Sequence, residues 1–178
     1  LAMHAGTAFL IVFFIAMGHD AGTFAFAAWS RSAGAPGGAL LFAAACIGFG
    51  TKAGLVPLHV WLPEAHPAAP SHVSAVMSGV MIKTGVYGLM RALTFFTDIP
   101  PWWGTALVAA GVISGVLGVL FALAQHDLKR LLAYHSVENI GIIVAGLGLG
   151  VLGAATGNAA LAALGTAGAL LHVVNPAA

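Results

Sequence analysis

The stretch FGTKAGLVPLHVWLPEAHPAAP, from Phe49 to Pro70, places a lysine among helix-breaking residues between two strongly apolar segments of the chain. Pro57 cannot donate a backbone hydrogen bond, and its ring clashes with the carbonyl group four residues earlier in a helix. Gly54 lowers the energetic cost of a distorted backbone nearby. The stretch therefore predicts a helix that is broken at Pro57 and Gly54, with Lys52 beside the break.

The composition of the chain identifies a membrane protein. Of the 178 residues, 60% are hydrophobic and 6% are charged, and the mean hydropathy is +1.01. A soluble domain carries about 25% charged residues, so this chain cannot cover its surface with groups that favour water. The formal net charge of +1 gives no reason to expect nucleic acid as a partner. A single cysteine, Cys46, indicates neither a disulfide framework nor a paired-cysteine metal site.

Apolar segments long enough to cross a membrane recur along the whole chain, since a spanning helix needs about 20 apolar residues. We predict an all-α fold, a polytopic membrane helix bundle with about six transmembrane helices. Because the sequence begins at Leu1 and ends without a polar tail, we expect residues 1–178 to be one partial transmembrane domain, truncated at both ends. The predicted helices cover residues 1–18, 39–61, 71–96, 102–125, 128–153 and 159 onward.

Tryptophans and glycines predict where the helices meet the membrane surface and one another. Indole rings favour the membrane–water interface, and each tryptophan falls near the end of a predicted helix. Small residues let membrane helices pack closely, so glycines at helical spacing predict a tight bundle. The tryptophans are Trp29, Trp61, Trp102 and Trp103, and the glycines are Gly111, Gly115, Gly118, Gly141, Gly146, Gly148 and Gly150.

Ionisable residues fall well inside three of the predicted helices, at Lys52, Lys83 and Glu138. A lysine or aspartate at the centre of a membrane helix costs about 2.5–3.5 kcal/mol, so each of these residues must meet a protein partner or water. Lys83 lies about 18 Å of helix from Ser71, too far to reach the membrane surface by extending its side chain. The alternative interpretation is that these charges only fix helix packing.

Lysine suits a proton carrier better than arginine does. Burial disfavours the charged form of lysine, so a buried lysine can bind and release a proton, whereas arginine stays charged. Lys52 and Lys83 are therefore candidate proton carriers. Helical spacing groups further side chains on single helix faces. These groups are His72, Gly79 and Tyr87 with Lys83, and His135, Glu138 and Asn139; on the last helix His172 has Thr166 and Asn175 as polar companions.

Metal and haem chemistry find less support in the sequence. His59, Glu64, His66 and His72 are spread along a proline-broken connector without the ligand spacing of a zinc motif. A haem held between His72 and His172 would leave the buried lysines without a role. We therefore expect no metal and no cofactor in this chain.

Two stretches carry a family resemblance. They are GTKAGLVPLHVWLPEAHPAAPSHVSAVMSGVMIKTGVYGLMR and DLKRLLAYHSVENIGII. Both resemble the antiporter-like membrane subunits of respiratory complex I, of multisubunit sodium/proton antiporters and of membrane-bound hydrogenases. The segment YHSVEN is most similar to the hydrogenase-4 and formate hydrogenlyase branch of that family.

The resemblance implies a fold and a set of site residues. Such subunits form a bundle of about fourteen helices with two inverted repeats, and this chain would supply the sixth to eleventh. Lys52 is similar to the lysine of the broken helix, whose glutamate partner lies outside this chain. Lys83 matches the central lysine of the next helix, and His172 matches a histidine that continues the polar axis. Many relatives have a second histidine where this chain has Pro176.

The resemblance also implies a function. We expect a proton-translocating membrane subunit of a redox-driven complex, with proton transfer through Lys52, Lys83 and His172 and with Glu138 and His135 as a branch. No redox centre is expected in this chain; other membrane subunits and peripheral iron–sulfur, NiFe or NADH-oxidising subunits would be its partners in a prokaryotic cytoplasmic membrane. The alternatives are a subunit of a sodium/proton antiporter and a purely structural membrane anchor.

Overall fold

The computed structural model describes residues 2–175, and most of this range is helical. Two short 3-10 turns cover Phe26–Ala28 and Leu58–Trp61, and a π turn over Met77–Met81 joins the fourth helix to the fifth. The helices and strands are α1 (Ala2–Ala21), β1 (Arg31–Ser32), α2 (Gly38–Ala53), α3 (Leu62–Ala68), α4 (Ser71–Val76), α5 (Ile82–Leu93), β2 (Phe96–Thr97), α6 (Pro101–Leu123), α7 (Leu128–Ala155) and α8 (Ala159–Val174).

The structure confirms the predicted all-α membrane bundle. Within residues 2–175, five helical segments are long and apolar enough to cross a membrane, and α8 is a shorter apolar helix. The α1, α2 and α5 helices pack together on one side, and α6, α7 and α8 on the other. The short helix α3 and the helix α5 contact α7 and join the two groups.

The predicted break in the second spanning segment is confirmed, but its local cause differs from the prediction. The α2 helix ends at Ala53, and Gly54 adopts a left-handed conformation with φ 79°. The Leu55 amide donates to the Gly50 carbonyl over 2.9 Å, and the Gly54 amide donates to Thr51 over 3.2 Å. This pattern is a Schellman motif, for which glycine is the favoured residue. Gly54 therefore ends the helix, and Pro57 lies in the turn that follows.

Two of the four tryptophans, Trp29 and Trp103, are buried within the protein, which their positions near predicted helix ends do not indicate. Trp103 is fully buried and stacks on Phe42 with 4.1 Å between ring centroids. Trp29 is 4% exposed, and Trp61 lies within the helix break. The reason is that the connectors fold back over the helix ends: β1 pairs with β2 in parallel, and the Arg31 amide donates to the Phe95 carbonyl. Trp102 alone is largely exposed.

Glycines bring α6 and α7 into backbone contact, as the sequence predicts. A Cβ atom placed on Gly111 would lie 2.4 Å from the Ala145 nitrogen, and one on Gly118 would lie 2.7 Å from the Glu138 nitrogen. Gly146 and Gly165 bring α7 and α8 together in the same way. This close packing fixes the position of the polar residues that α7 carries.

Candidate functional site

Lys83 lies in α5 and directs its ammonium group toward α8. Its Nζ atom donates a hydrogen bond of 2.8 Å to the carbonyl oxygen of Val173, which is 90 residues away along the chain. The side chain is half-buried. A backbone carbonyl has two lone pairs, so Val173 can accept this bond while it belongs to a helix. The ammonium group is thus held by protein, as a charge at membrane depth requires.

A small polar cavity adjoins Lys83 between α5 and α7. It has a volume of about 20 Å³, and a single water molecule needs about 10–15 Å³. The Ser136 hydroxyl donates to the Leu132 carbonyl over 2.9 Å, so in the 2.9 Å bond between the two serines Ser78 is the donor. The cavity is lined by Ser78, Ile82, Lys83, Ser136, Asn139 and Ile140.

The π turn explains why Ser78 and Lys83 border the same cavity. In a regular α-helix, residues five apart point about 140° away from each other. The wider turn at Met77–Met81 brings Ser78 round to the side of Lys83. Such π turns occur often at functional sites. The predicted wall of His72, Gly79, Lys83 and Tyr87 is not formed, because Tyr87 borders a separate pocket near α1.

Asn139 connects this cavity to His172. Its Nδ2 group donates to the His135 carbonyl over 3.0 Å, which fixes the orientation of the amide. Its Oδ1 atom then faces the Nε2 atom of His172 at 3.1 Å. Because an amide oxygen can only accept, Nε2 must carry a proton. The other ring nitrogen, Nδ1, makes no hydrogen bond within residues 2–175 and is the acceptor of the neutral ring.

Glu138 and His135 form a pair on a different face of α7. His135 Nδ1 lies 2.7 Å from Glu138 Oε2, with 57% of the histidine side chain exposed and 21% of the glutamate. Glu138 borders a groove of about 680 Å³ between α6 and α8. His172 also lines this groove, and the remaining lining residues are apolar. His172 therefore lies between the Lys83 cavity and the Glu138 groove.

Lys52 occupies the last turn of α2, half-buried and next to the break. It takes part in none of the ion pairs formed within residues 2–175. No hydrogen bond in this part of the chain joins its ammonium group to the Lys83 cavity. The structure therefore brings together Lys83, His172, Glu138 and His135, but leaves Lys52 separate.

The backbone donors in the helix break are satisfied within the protein, as membrane depth demands. The Leu58 amide donates to the Leu55 carbonyl over 2.7 Å, and the Val56 amide donates to the Ser114 hydroxyl over 3.2 Å. The Trp61 indole donates to the Thr51 carbonyl over 2.7 Å. The break is thus stabilised by specific hydrogen bonds, and the bond to Ser114 attaches it to α6.

We expect Ser114→Ala to destabilise the break. Ser114 is fully buried, so its loss leaves the Val56 amide without a partner at a cost of about 1–3 kcal/mol. The measurement is the thermal unfolding midpoint of the purified full-length protein in detergent. Thr105→Ala is the control, because the exposed Thr105 hydroxyl bonds only within α6; equal midpoints for the two variants would contradict the assignment.

Several residues of this site were not predicted as functional from the sequence. Helical spacing places Asn139 beside His135 but predicts no role for it, and the sequence pattern does not distinguish Ser78 or Ser136 from other residues of their helices. The sequence signal that could have identified these residues is a hydroxyl or amide side chain in the middle of an apolar segment. The prediction concerning Pro176 lies outside the described residues.

Comparisons with known proteins agree with this architecture. The family model described as "NADH:quinone oxidoreductase/Mrp antiporter, TM" matches residues 1–173. Hydrogenase-4 component B of Escherichia coli (strain K12) is 46% identical over 178 residues, covering 98% of this chain and 26% of the relative. Formate hydrogenlyase subunit 3 of the same strain is 47% identical over 129 residues, covering 72% of this chain and 21% of the relative. This chain spans about a quarter of the length of these relatives.

A similar helix arrangement is found in a solved structure of an antiporter complex. A chain in the structure of the Mrp complex from Dietzia sp. DQ12-45-1b superposes with a TM-score of 0.74 at 28% sequence identity. The match covers 97% of this chain and 19% of that chain.

Proposed function

This chain belongs to the transmembrane family of NADH:quinone oxidoreductase and Mrp antiporter subunits, and we propose that it moves protons as part of a redox-driven membrane complex. The observation that supports this proposal most directly is the convergence of titratable groups at α8. Lys83 donates to the carbonyl of Val173, the residue that follows His172 in the chain. Asn139 borders the Lys83 cavity and also contacts His172. Titratable groups and a water-sized space are what proton transfer needs.

In this proposal each side chain has a defined step. Lys83 releases a proton toward the serine-lined cavity and regains one later, and His172 accepts at Nδ1 while Nε2 stays bound to Asn139. Glu138 and His135 supply a branch that reaches the groove between α6 and α8. Lys52, beside the broken helix, responds to a partner group outside this chain and couples the redox reaction to Lys83.

We also propose the setting of this subunit. The chain is a multi-pass membrane protein with bacterial relatives, and we place it in the cytoplasmic membrane of a prokaryote. Two of those relatives bear the names of a hydrogenase component and a formate hydrogenlyase subunit. We expect other membrane subunits and peripheral iron–sulfur, NiFe or NADH-oxidising subunits as partners, with electron transfer confined to the peripheral ones.

A second candidate is a subunit of a multisubunit sodium/proton antiporter that works without a redox reaction. The superposition on a chain of the Mrp complex favours it, and no residue of the described site distinguishes the two. What differs is the source of energy, which a transport measurement can identify.

The test is proton movement in sealed vesicles that contain the full-length protein in its native complex. We expect the vesicle interior to change pH when an electron donor is added, and to do so equally without sodium. Proton movement that needs a sodium gradient and ignores the donor would identify the antiporter. Electron transfer without any proton movement would identify a structural anchor and reject the proposal.

A further inference from the structure

An aromatic pocket of about 250 Å³ lies between α1, α2 and α5, away from the residues assigned to proton transfer. Two of the residues that border it, Tyr87 and Phe26, are 68% and 48% exposed, so the pocket reaches the outer surface of the bundle. Five phenylalanines line it: Phe13, Phe14, Phe26, Phe49 and Phe95.

Ring contacts hold the walls of this pocket apart from one another. The ring centroid of Phe26 lies 5.8 Å from that of Phe14 and 5.8 Å from that of Phe95. A Cβ atom on Gly88 would lie 2.2 Å from the Phe49 ring, so glycine lets this ring lie against α5. Atoms that line an empty apolar space lose their dispersion contacts. At the surface of a membrane protein, hydrocarbon chains of the lipid are the material that can restore them.

Arg91 is the one charged residue that lines the pocket within residues 2–175. Its guanidinium carbon lies 5.3 Å from the Phe95 ring centroid, within the range of a cation–π contact. It takes part in none of the ion pairs in this part of the chain, whereas Arg31 at the same end of the bundle is paired with Asp20. A guanidinium over a ring keeps its N–H donors at the edge, where they can bind a phosphate through two parallel bonds.

The depth of these groups matches the length of a lipid molecule. Arg91 lies in the last turn of α5, which ends at Leu93, and so lies near the headgroup level. Thr84, which also borders the pocket, is about 10 Å of helix further in. Phe49 lies about 16 Å of helix below the start of α2 at the same end of the bundle. The pocket thus runs from a cation at the membrane surface to aromatic rings at hydrocarbon depth.

We propose that this pocket binds an anionic phospholipid, with its phosphate on Arg91 and one acyl chain between the phenylalanine rings. Tyr87 lies one helical turn before Arg91, and its phenol favours the headgroup level. Charge complementarity selects a lipid with a net negative charge over a zwitterionic one, because the positive charge of Arg91 is not balanced by a carboxylate of the described residues. Basic pockets between transmembrane helices bind anionic headgroups in this way.

The test is photocrosslinking of the full-length protein in its native complex in lipid nanodiscs. The probes are phosphatidylglycerol and phosphatidylcholine, each carrying a diazirine on one acyl chain and each present as a trace component. Crosslinked peptides are identified by mass spectrometry. At the peptides that contain Phe26, Phe49 and Phe95, we expect the ratio of phosphatidylglycerol to phosphatidylcholine crosslinks to exceed the mean ratio of the other labelled peptides about fivefold, the preference that one arginine gives near a lipid surface.

Arg91→Gln should lower this ratio to the mean of the other peptides. Arg130→Gln is the matched control, because Arg130 is an exposed arginine at the start of α7 that pairs with Glu64 and lies outside the pocket. Thr84→Trp tests the acyl chain separately. The Thr84 hydroxyl bonds only to the Met81 carbonyl of its own turn, and the larger ring should fill the pocket and remove most crosslinks from both lipids.

Three outcomes would overturn the lipid site. Equal ratios at the pocket and elsewhere in the parent protein would reject selection of an anionic lipid. Unchanged crosslinks in Thr84→Trp would reject the pocket as the place of the acyl chain. Crosslinks elsewhere on the chain but none at the pocket peptides would show that a further protein segment covers the pocket. None of these measurements uses proton movement, so the lipid site and the proposed function are tested independently.

Discussion

Lys83→Met in the full-length protein is expected to reduce redox-driven proton translocation by at least about a hundredfold, the size of a typical proton-transfer contribution. Methionine has a similar length and an apolar end, so it fills the half-buried position but carries no proton. The hydrogen bond to Val173 is also lost, at a net cost of about 1 kcal/mol. The assembled complex should therefore persist while translocation is lost. The measurement is dye-reported acidification of sealed vesicles, beside the electron-transfer rate with the proton gradient dissipated.

Lys83→Arg separates the proton carrier from a packing charge. Arginine keeps the positive charge and can donate to the Val173 carbonyl, but it does not release its proton under physiological conditions. We expect this variant to assemble normally and to translocate as poorly as Lys83→Met. If Lys83 only fixes helix packing, both variants should translocate protons like the parent, because arginine would preserve the packing role and methionine at a buried charge is often neutral. Normal translocation by either variant would reject Lys83 as a carrier.

The residues that surround Lys83 show what the sequence could predict and what it could not. The lysine itself is visible because a charge in an apolar segment is costly wherever the helices pack. Its partner Val173 cannot be recognised in the sequence, since every residue has a backbone carbonyl and Val173 lies 90 positions from Lys83. Helical spacing correctly placed His135, Glu138 and Asn139 near one another, because their hydrogen bonds lie within a single regular helix.

The π turn marks the limit of reasoning from helical spacing. The segment MSGVM at Met77–Met81 contains no proline and only one glycine, so nothing local distinguishes it from a regular helix. Spacing at 3.6 residues per turn therefore selected Gly79 instead of Ser78 as the neighbour of Lys83. The π turn lets Ser78 contact α7, where Ser136 receives the Ser78 hydrogen bond. That contact is long-range and cannot be inferred from local sequence.

The tryptophans show a different limit. A preference for the membrane interface predicts the depth of a tryptophan in the membrane, but not whether connectors fold back and bury its ring. Here the β1 and β2 segments and the 3-10 turn at Phe26–Ala28 cover the helix ends, and Trp29 packs 5.0 Å from the Phe95 ring centroid. The helix ends were predicted well because apolar length determines them; the burial of their aromatic residues depends on tertiary contacts.

Gly141→Ala is expected to lower the stability of the full-length protein by about 2–3 kcal/mol. A Cβ atom at Gly141 would lie 2.4 Å from the Gly115 nitrogen and 2.6 Å from the Gly111 carbonyl oxygen. Both are backbone atoms, so no side-chain rotation relieves the overlap, and α6 and α7 must separate. Overpacking of this kind costs about 1–3 kcal/mol, occasionally more. Because α7 carries Ser136, Asn139 and Glu138, separation from α6 should also disturb the proton-transfer residues.

Gly168→Ala makes the same chemical change where the structure leaves room. No atom lies within 4 Å of a Cβ placed at Gly168, and alanine is favoured over glycine within a helix by about 1 kcal/mol. We therefore expect this variant to be as stable as the parent or slightly more stable, while Gly141→Ala unfolds at a lower temperature in detergent and accumulates less in the membrane. Equal thermal midpoints for the two variants would contradict the backbone contact between α6 and α7. Selective loss of stability at Gly141 would support the backbone contact through which α6 fixes the position of α7 and of the polar residues that α7 carries.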